Sequence, residues 1–458
     1  MRGSVNADAP HAPATALASS ASGGQETLIV LATQMWTLAV GLGTQAVLAW
    51  TLAPAGRGAY AVCMLFGGVF GVIFTLGTDR AAQYFVMSGK QSVSEGASVA
   101  VIVALAGSLL AVVIGLALMQ TPLAFFAKAD KTSFAIALAL MPLTVLATTL
   151  ELQAAGLRRF VRLGAVILVQ TTTALILILL LAGAWDLGVR GALFAQVVAS
   201  LLAALLLFAD LRACCGLRLV LPAWRHFRQV LSYGARYYLA RIGNLIDSGL
   251  GIFIIALVAT QEDIGLFAAA SALVLKVLVL TDSVETTLLP RIATDREGRT
   301  ALVAQCVRVS MLFTTAATGA IVVLSVPLVT IVLSPKFIAA VPLIWILAPG
   351  VVLYGGSQIL MAFFRGTGRP GVCSLVTWAG LLANGAALLV LYPSIGLPAA
   401  AWAATAGYAC RSMVLLAAYR RATGQSSIDF MRFRRADFAA VRAIVRSVRA
   451  RLLPAYHG

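Results

Sequence analysis

The sequence consists largely of apolar runs of about 20 residues, separated by short polar segments that carry most of the basic residues. A transmembrane helix needs about 20 predominantly apolar residues, so each run is long enough to cross a bilayer. Hydrophobic residues make up 60% of the 458-residue chain and charged residues 11%, whereas soluble domains carry roughly 25% charged residues. The pattern therefore excludes a soluble globular fold and predicts a polytopic membrane protein.

The apolar runs predict an all-α fold with about twelve transmembrane helices, because backbone polar groups inside a bilayer must be hydrogen-bonded within the protein. The predicted spans are residues 26–52, 59–78, 97–119, 133–154, 164–185, 190–209, 229–258, 264–288, 302–332, 341–363, 372–391 and 396–419.

With the N-terminus inside, 24 lysines and arginines fall on the cytoplasmic side and five on the other. This excess predicts that both termini are in the cytoplasm, and the abundance of arginine and alanine suggests a bacterial, and hence inner-membrane, protein. The excess of basic residues also accounts for the net charge of +17 without nucleic-acid binding.

Weak internal similarity relates the two halves of the chain. Residues 188–195 correspond to residues 396–403 at an offset of 208, and Arg212 corresponds to Arg420 at the same offset. Two halves of six helices have the same orientation, which predicts parallel repeats with a substrate path between them. The expected organisation is a disordered cytoplasmic tail (1–25), a six-helix lobe (26–212), a cytoplasmic linker (213–228), a second six-helix lobe (229–420) and a basic amphipathic cytoplasmic tail (421–458).

Several short motifs occur in a particular order along the chain. They include LAPAGRGAY at 52–60, LSYGARYYL at 231–239, IGLFAAA at 264–270, LPRIA at 289–293 and FRGTGRP at 364–370. Their order and spacing, over about residues 26 to 420, resemble the polysaccharide flippases of the multidrug/oligosaccharidyl-lipid/polysaccharide exporter superfamily. The resemblance implies a V-shaped, two-lobed transporter. It would move an undecaprenyl-diphosphate-linked oligosaccharide across the membrane by alternating access, for exopolysaccharide, capsule or O-antigen biosynthesis.

The resemblance also implies other proteins that act in the same pathway as such a transporter. A cytoplasmic glycosyltransferase would supply the lipid-linked saccharide, and a polysaccharide polymerase would consume it on the other side. Peptidoglycan-precursor flippases of the superfamily typically carry two further helices that are not found in this sequence, which disfavours a lipid II substrate. Membrane lipids surround the spans, and no cofactor is expected.

Charged and polar residues deep in the predicted spans form the candidate site, because an ionisable group there costs about 2.5–3.5 kcal/mol. Tyr237, Arg241 and Asn244 are spaced so that they share one face of the seventh span. Lys276 lies in the eighth span and Arg411 in the twelfth. Arginine offers a diphosphate a fork of hydrogen-bond donors. These residues are therefore predicted to bind the anionic head group.

A stripe of polar and small residues in the first span extends this site, and comprises Gln34, Thr37, Gly41, Thr44 and Gln45. The amides of Gln34 and Gln45 suit sugar hydroxyls, although small residues equally allow close helix packing. Asp247 and Glu285 are candidates for a salt-bridge switch or for a Na⁺ or H⁺ coupling site. The alternative is that these acids only neutralise Arg241 and Lys276.

Two glycine-containing segments are predicted to have structural roles. Arg57, between Gly56 and Gly58, is predicted to form a tight turn outside the membrane. The Pro349–Gly350 step in the tenth span is either a hinge or a packing site, since a proline inside a helix commonly kinks it.

The main alternative function is a cation-coupled multidrug or small-molecule exporter of the same fold. Some exporters of that branch place a carboxylate in the first helix, where this chain has Gln34 and Gln45. A membrane enzyme is disfavoured because the outward loops are short and no HExxH, GxSxG or nucleotide-binding motif is present. The six cysteines have no CxxC spacing, so no metal site is predicted.

Overall fold

A computed structural model of the chain describes residues 15–88, 90–121, 125–157, 159–279, 281, 299–367 and 369–424. All regular structure among these residues is helical, which confirms the predicted all-α fold. The α-helices of ten residues or more are α1 (Thr15–Ile73), α2 (Thr78–Met87), α3 (Val93–Leu118), α4 (Lys131–Gly156), α5 (Phe160–Ile178), α6 (Gly188–Cys215), α7 (Trp224–Val258), α8 (Gln261–Val274), α9 (Arg299–Val323), α10 (Val341–Gly366), α11 (Pro370–Ile395) and α12 (Pro398–Thr423). Short 3-10 or π segments extend or connect them at Phe126–Lys128, Leu179–Ala184, Leu275–Val277, Leu328–Leu333 and Pro335–Ala340.

The helix α1 contains two of the predicted spans, because the chain reverses within it. Ala53 has a left-handed φ of 53° and is followed by Pro54, which interrupts the helix. The side chain of Arg57 donates a hydrogen bond to Gln45, 12 residues earlier. A continuous helix would separate these two residues by about 18 Å. We therefore describe α1 as a first arm, residues 15–52, and a second arm, residues 54–73.

Each predicted span lies mainly on a helix wherever the structure describes it. By length and composition, eight helices of the described residues are able to cross a membrane. Residues 15–25, expected in a disordered tail, instead belong to α1, and the connection between α6 and α7 is shorter than the predicted linker, at residues 216–223. The end of the eighth span, residues 282–288, and the basic tail from residue 425 onward lie outside the described residues.

The short helix α2 was not predicted. It has ten residues, of which Ala81, Ala82 and Val86 are buried, whereas Arg80 and Tyr84 are exposed. A search for long apolar runs does not detect a short, polar segment that has a single apolar face. The helix follows directly on the second arm of α1 and connects it to α3.

The helices pack as two groups that meet along α1 and α2. In the first half of the chain, residues 15–215, α4 packs against α1, α3 and α6, and α5 packs against α1 and α6. In the second half, residues 224–423, α12 packs against α10 and α11, α9 against α10, and α7 against α11. The main contacts between the halves join α1 to α8 and α7, and α2 to α7. The boundary between the halves is therefore lined by α1, α2, α7 and α8.

Pairs of glycines close this boundary at both ends. A Cβ atom on Gly58 would lie 1.9 Å from the carbonyl oxygen of Gln261, and one on Gly265 would lie 1.8 Å from that of Pro54. Beyond the other end of the second arm, a Cβ on Gly234 would lie 2.9 Å from the carbonyl oxygen of Leu76. Residues 58 to 73 of a helix span about 22 Å. The two backbone contacts thus lie at opposite ends of the boundary.

The Pro349–Gly350 step acts as a packing site in this conformation. Helix α10 continues through Pro349, and a Cβ on Gly350 would lie 2.9 Å from the Cα atom of Thr405 in α12. The hydroxyl of Thr405 donates a hydrogen bond of 2.7 Å to the carbonyl of Ile346. Gly350 therefore permits the close approach of α10 and α12.

We expect Asp130→Ala to lower the free energy of unfolding by about 1 kcal/mol, because Asp130 is the N-cap of α4 and accepts a hydrogen bond from the amide of Ser133. Its ion pair with Arg190 (2.8 Å) is half-exposed and contributes little. Asp130→Asn keeps the cap and should retain most of the stability in detergent unfolding experiments. An equal loss in both variants would assign the effect to the ion pair instead.

The difference in stability between wild type and Asp130→Ala depends on pH. Partial burial tends to raise the pKa of the Asp130 carboxyl, but hydrogen bonds from Ser133 and Arg190 outweigh it and lower the pKa below its ordinary 3.8. A lowered pKa means that the contribution to stability is complete above the ordinary value and is lost as the pH falls through the folded-state value. The difference between wild type and Asp130→Ala should shrink in that acidic range.

Candidate functional site

Lys276 of the second half lies directly against the polar stripe of the first span. A Cβ on Gly41, in the first arm of α1, would lie 3.2 Å from the Nζ atom of Lys276. Because glycine has no side chain, position 41 leaves room for the ammonium group of Lys276. Lys276 itself lies in the 3-10 segment Leu275–Val277 that follows α8. Two features that were predicted separately, the stripe and this lysine, meet at the boundary between the halves.

A second cation, Arg57, contacts the same stripe at Gln45, one helical turn beyond Gly41. The structure corrects its predicted position in an exposed turn: the turn is at Ala53, and Arg57 lies within the second arm of α1 with 4% of its surface exposed. Its guanidinium donates to the Oε1 atom of Gln45, and Gln45 follows Gly41 by four residues, about 6 Å along the helix. Arg57 and Lys276 therefore both contact the stripe.

Among the residues that the structure describes, no acidic side chain pairs with either of these two cations, Lys276 and Arg57. The Nε and Nη1 atoms of Arg57 are buried and have no hydrogen-bond partner among the described residues. Burying an unpaired charge is costly. The arrangement is therefore suited to an anionic ligand with several acceptor oxygens.

Additional polar groups surround this part of α1. Tyr60 lies three residues after Arg57, and its hydroxyl accepts a hydrogen bond of 3.3 Å from Gln196 of α6. Gln34 and Thr37, toward the start of the first arm, are half-buried. Groups that can donate to or accept from sugar hydroxyls therefore occur on both arms of α1, the helix that lines the boundary.

Arg411 is packed inside the second half. Its side chain is 2% exposed, donates a hydrogen bond of 2.8 Å to Gln358 and lies 4.4 Å from the ring centroid of Tyr354. Both partners belong to α10, and a Cβ on Gly380 of α11 would lie 3.1 Å from the Cβ of Arg411. In this conformation Arg411 joins three helices, and its contact with substrate stays a prediction.

The remaining predicted site residues lie where the structure gives no side-chain description. Tyr237, Arg241, Asn244 and Asp247 are on α7, but their side chains lie outside the described part, as does the whole of Glu285. Their roles stay predictions. The helix that carries four of them, α7, lines the boundary through its contacts with α1 and α2.

Sequence reasoning missed Arg57 because its partner is on the other arm of a reversed helix. The segment PAGRG has the composition of a loop, and no periodicity relates positions 45 and 57. The only available signal was a basic residue with few polar neighbours beside two apolar spans. Such a residue is as easily explained by a loop at the membrane surface.

Comparison with known proteins identifies the family of this chain. A family model described as polysaccharide biosynthesis protein matches residues 24–294. This range is more than half of the chain and contains the stripe, Arg57 and Lys276. The chain belongs to the polysaccharide biosynthesis protein family. The match confirms the resemblance to the polysaccharide flippases that the motifs indicated. A comparison with curated proteins finds no match.

Solved structures show that this family member has the fold of membrane transporters. It is similar to the lipid II flippase MurJ in an inward closed conformation, with a TM-score of 0.73 and 14% identity over 88% of this chain and 89% of that one. An inward-facing multidrug resistance MATE family transporter gives 0.63 and 16%, over 87% and 95%. A MOP superfamily transporter from Pyrococcus furiosus Vc1 gives 0.61 and 12%, over 86% and 95%. The chain is thus a multi-pass membrane protein with a transporter fold.

Proposed function

We propose that this protein is a flippase that moves a polyprenyl-diphosphate-linked oligosaccharide across the bacterial inner membrane. The observation that carries the proposal is the pair of cations, Arg57 and Lys276, on the polar stripe at the boundary between the halves. A diphosphate diester carries about two negative charges, which two cations neutralise. Amide and hydroxyl groups beside them suit the saccharide, while the prenyl chain can stay in lipid. Membership of the polysaccharide biosynthesis protein family supports a saccharide substrate.

The glycine contacts suit a mechanism of alternating access. The halves, which we propose act as the two lobes, meet at Gly58 and Gly265 at one end of the boundary and at Gly77 and Gly234 at the other. Separation of either pair alone would expose the cations to one side of the membrane. The proposed topology places both termini and the Gly77 end in the cytoplasm, as the distribution of basic residues predicts.

The proposal extends to the pathway and the driving force. The product would be used for exopolysaccharide, capsule or O-antigen, with a glycosyltransferase acting before the flippase and a polymerase after it. Asp247 and Glu285 are the residues at which Na⁺ or H⁺ would be coupled to transport. Arg241, Asn244 and Tyr237 would extend the binding surface along α7.

A cation-coupled multidrug exporter is the second candidate, because a multidrug resistance MATE family transporter has the same fold. A cationic drug would meet Arg57 and Lys276 at the boundary, and like charges repel. The charge of the site therefore favours the anionic substrate.

We expect Lys276→Ala to reduce polymer export at least tenfold, since a hydrogen bond to a charged group contributes about 1.5–3 kcal/mol. The measurement is complementation of a bacterial strain that lacks its own polysaccharide flippase. Surface polymer and lipid-linked repeat units retained in the cytoplasmic leaflet would be quantified at matched membrane expression. Lys276→Arg should retain most of the export. Lys336→Ala, which removes an exposed lysine elsewhere in the second half, is the matched control.

The possible outcomes test the flippase function and the assignment of Lys276 to the substrate site separately. Restoration by wild type and by Lys276→Ala alike would support a flippase but exclude Lys276 from the substrate site. If wild type does not restore polymer but lowers drug accumulation in the same cells, the exporter replaces the flippase.

A further inference from the structure

A cleft of about 850 Å³ lies on the surface where α2 meets the start of α7. This volume is within the range of about 300–1,000 Å³ that is usual for small-molecule sites. Its wall includes Lys90, Arg225, Arg228, Trp224, Tyr233 and Gln229. The cleft is separate from the stripe on the first arm of α1. It is adjacent to the closed end of the boundary, since Tyr233 directly precedes Gly234.

The cleft is strongly cationic. Lys90, Arg225 and Arg228 are all exposed there, and the residues that line it include no aspartate or glutamate. The nearby acid, Glu95, accepts hydrogen bonds from Ser92 and lies 3.3 Å from the Nδ1 atom of His226. The start of α7 adds to the positive potential, because a helix N-terminus carries a partial positive charge. These features together favour a phosphate-containing ligand.

The cleft also contains exposed aromatic rings in fixed positions. Trp224 is 74% exposed although its ring stacks on Phe227 at 5.5 Å between centroids. Tyr233 is 39% exposed and stacks on Tyr84 at 4.8 Å. The C–H faces of a pyranose ring are apolar and pack well on aromatic rings. Exposed aromatic rings beside arginines therefore match a ligand that has both sugar and phosphate groups.

We propose that this cleft is the docking site for the diphosphate-saccharide head group before it enters the boundary between the halves. The inference rests on the proposed flippase function. Arg225, Arg228 and Lys90 bind the diphosphate, and Trp224 and Tyr233 contact the sugar next to it. A phospholipid head group shares the phosphate but offers no pyranose ring to these aromatic residues. A head group held here lies beside the Gly77–Gly234 contact, which must open to admit it.

The test measures binding by the full-length protein in nanodiscs of phosphatidylcholine. The probes are citronellyl diphosphate carrying one N-acetylglucosamine, and inorganic pyrophosphate. All variants carry Lys276→Ala and Arg57→Met, so that the stripe contributes little to binding. We expect Arg225→Ala with Arg228→Ala to raise the Kd of both probes at least about tenfold. Trp224→Ala should weaken only the saccharide probe.

The matched control is Arg212→Ala with Arg218→Ala, which removes the same charge from exposed positions outside the cleft and should change the Kd by less than about twofold. Three results would overturn the docking site. The first is that the control pair weakens binding as much as the cleft pair does. The second is that Trp224→Ala affects both probes equally or neither. The third is that addition of phosphatidylglycerol to the nanodiscs abolishes probe binding, which would identify a phospholipid head group as the occupant.

Failure of the docking site is distinguishable from failure of the flippase proposal. If wild type restores polymer in the deletion strain while the cleft variants bind both probes normally, only the docking site is wrong. If the cleft variants lose binding as expected but wild type exports no saccharide, the site binds a diphosphate saccharide for another purpose. Binding and export are measured independently, so each result assigns the failure to one proposal.

Discussion

Arg57→Met is expected to stabilise the folded protein and to impair its transport. Arg57 is 4% exposed, and two of its nitrogen atoms have no hydrogen-bond partner in the described part of the chain. Methionine is similar in length but apolar, so the cost of burying the guanidinium disappears. Replacing a buried ion pair by apolar residues of similar volume is often neutral or stabilising by about 1–4 kcal/mol, and we expect removal of the buried Arg57 guanidinium to act in the same direction. Gln45, which loses its donor, is only half-buried and can bind water.

The same substitution removes one of the two cations on the stripe. Loss of a charge-assisted hydrogen bond to the diphosphate should lower export by about 10- to 100-fold. Thermal unfolding in detergent measures the stability, and complementation of the flippase-deficient strain measures the export. A residue kept for function at the expense of stability is expected to behave in this way.

Arg190→Met is the control for Arg57→Met. Arg190 is exposed and paired with Asp130, so its replacement should change stability by less than about 1 kcal/mol and leave export intact. The interpretation of Arg57 fails if Arg57→Met destabilises the protein while export continues. That result would make Arg57 a packing residue of the first half.

Gly58→Ala is expected to prevent closure of one end of the boundary and to reduce export at least tenfold. The new Cβ would lie 1.9 Å from the carbonyl oxygen of Gln261. Both groups are fixed to helix backbones, so the contact cannot be relieved by rotation of a side chain and the helices must separate. Gly265→Ala should have the same effect, since its Cβ would lie 1.8 Å from the carbonyl oxygen of Pro54.

Hydrogen exchange measured by mass spectrometry gives a second readout for Gly58→Ala. Amides of residues 55–60 and 261–266 should exchange faster in the variant, because the packed backbone becomes accessible. Gly319→Ala is the control, since a Cβ at that helical position meets no atom within 4 Å. Normal export together with unchanged exchange in Gly58→Ala would show that this contact is not part of the transport cycle.

Sequence reasoning succeeded where the constraint acts on one segment at a time. A bilayer requires each span to satisfy its own backbone hydrogen bonds, so the spans could be recognised without knowledge of their neighbours. The stripe of the first span and Lys276 were selected as candidates for the same reason, since polar groups inside an apolar run can be recognised without knowledge of their neighbours. The amphipathic helix α2 was missed because it is not an apolar run.

The sequence by itself therefore determined the all-α membrane fold, the approximate spans and two parts of the candidate site. Only the tertiary structure decided that Arg57 is buried against Gln45, that Gly58 meets Gly265, and that Lys90 and Arg228 share a cleft. Each of these contacts joins residues that are distant in the sequence or are separated by a chain reversal. No local periodicity relates such positions, because their proximity depends on how the helices pack around α1 and α2.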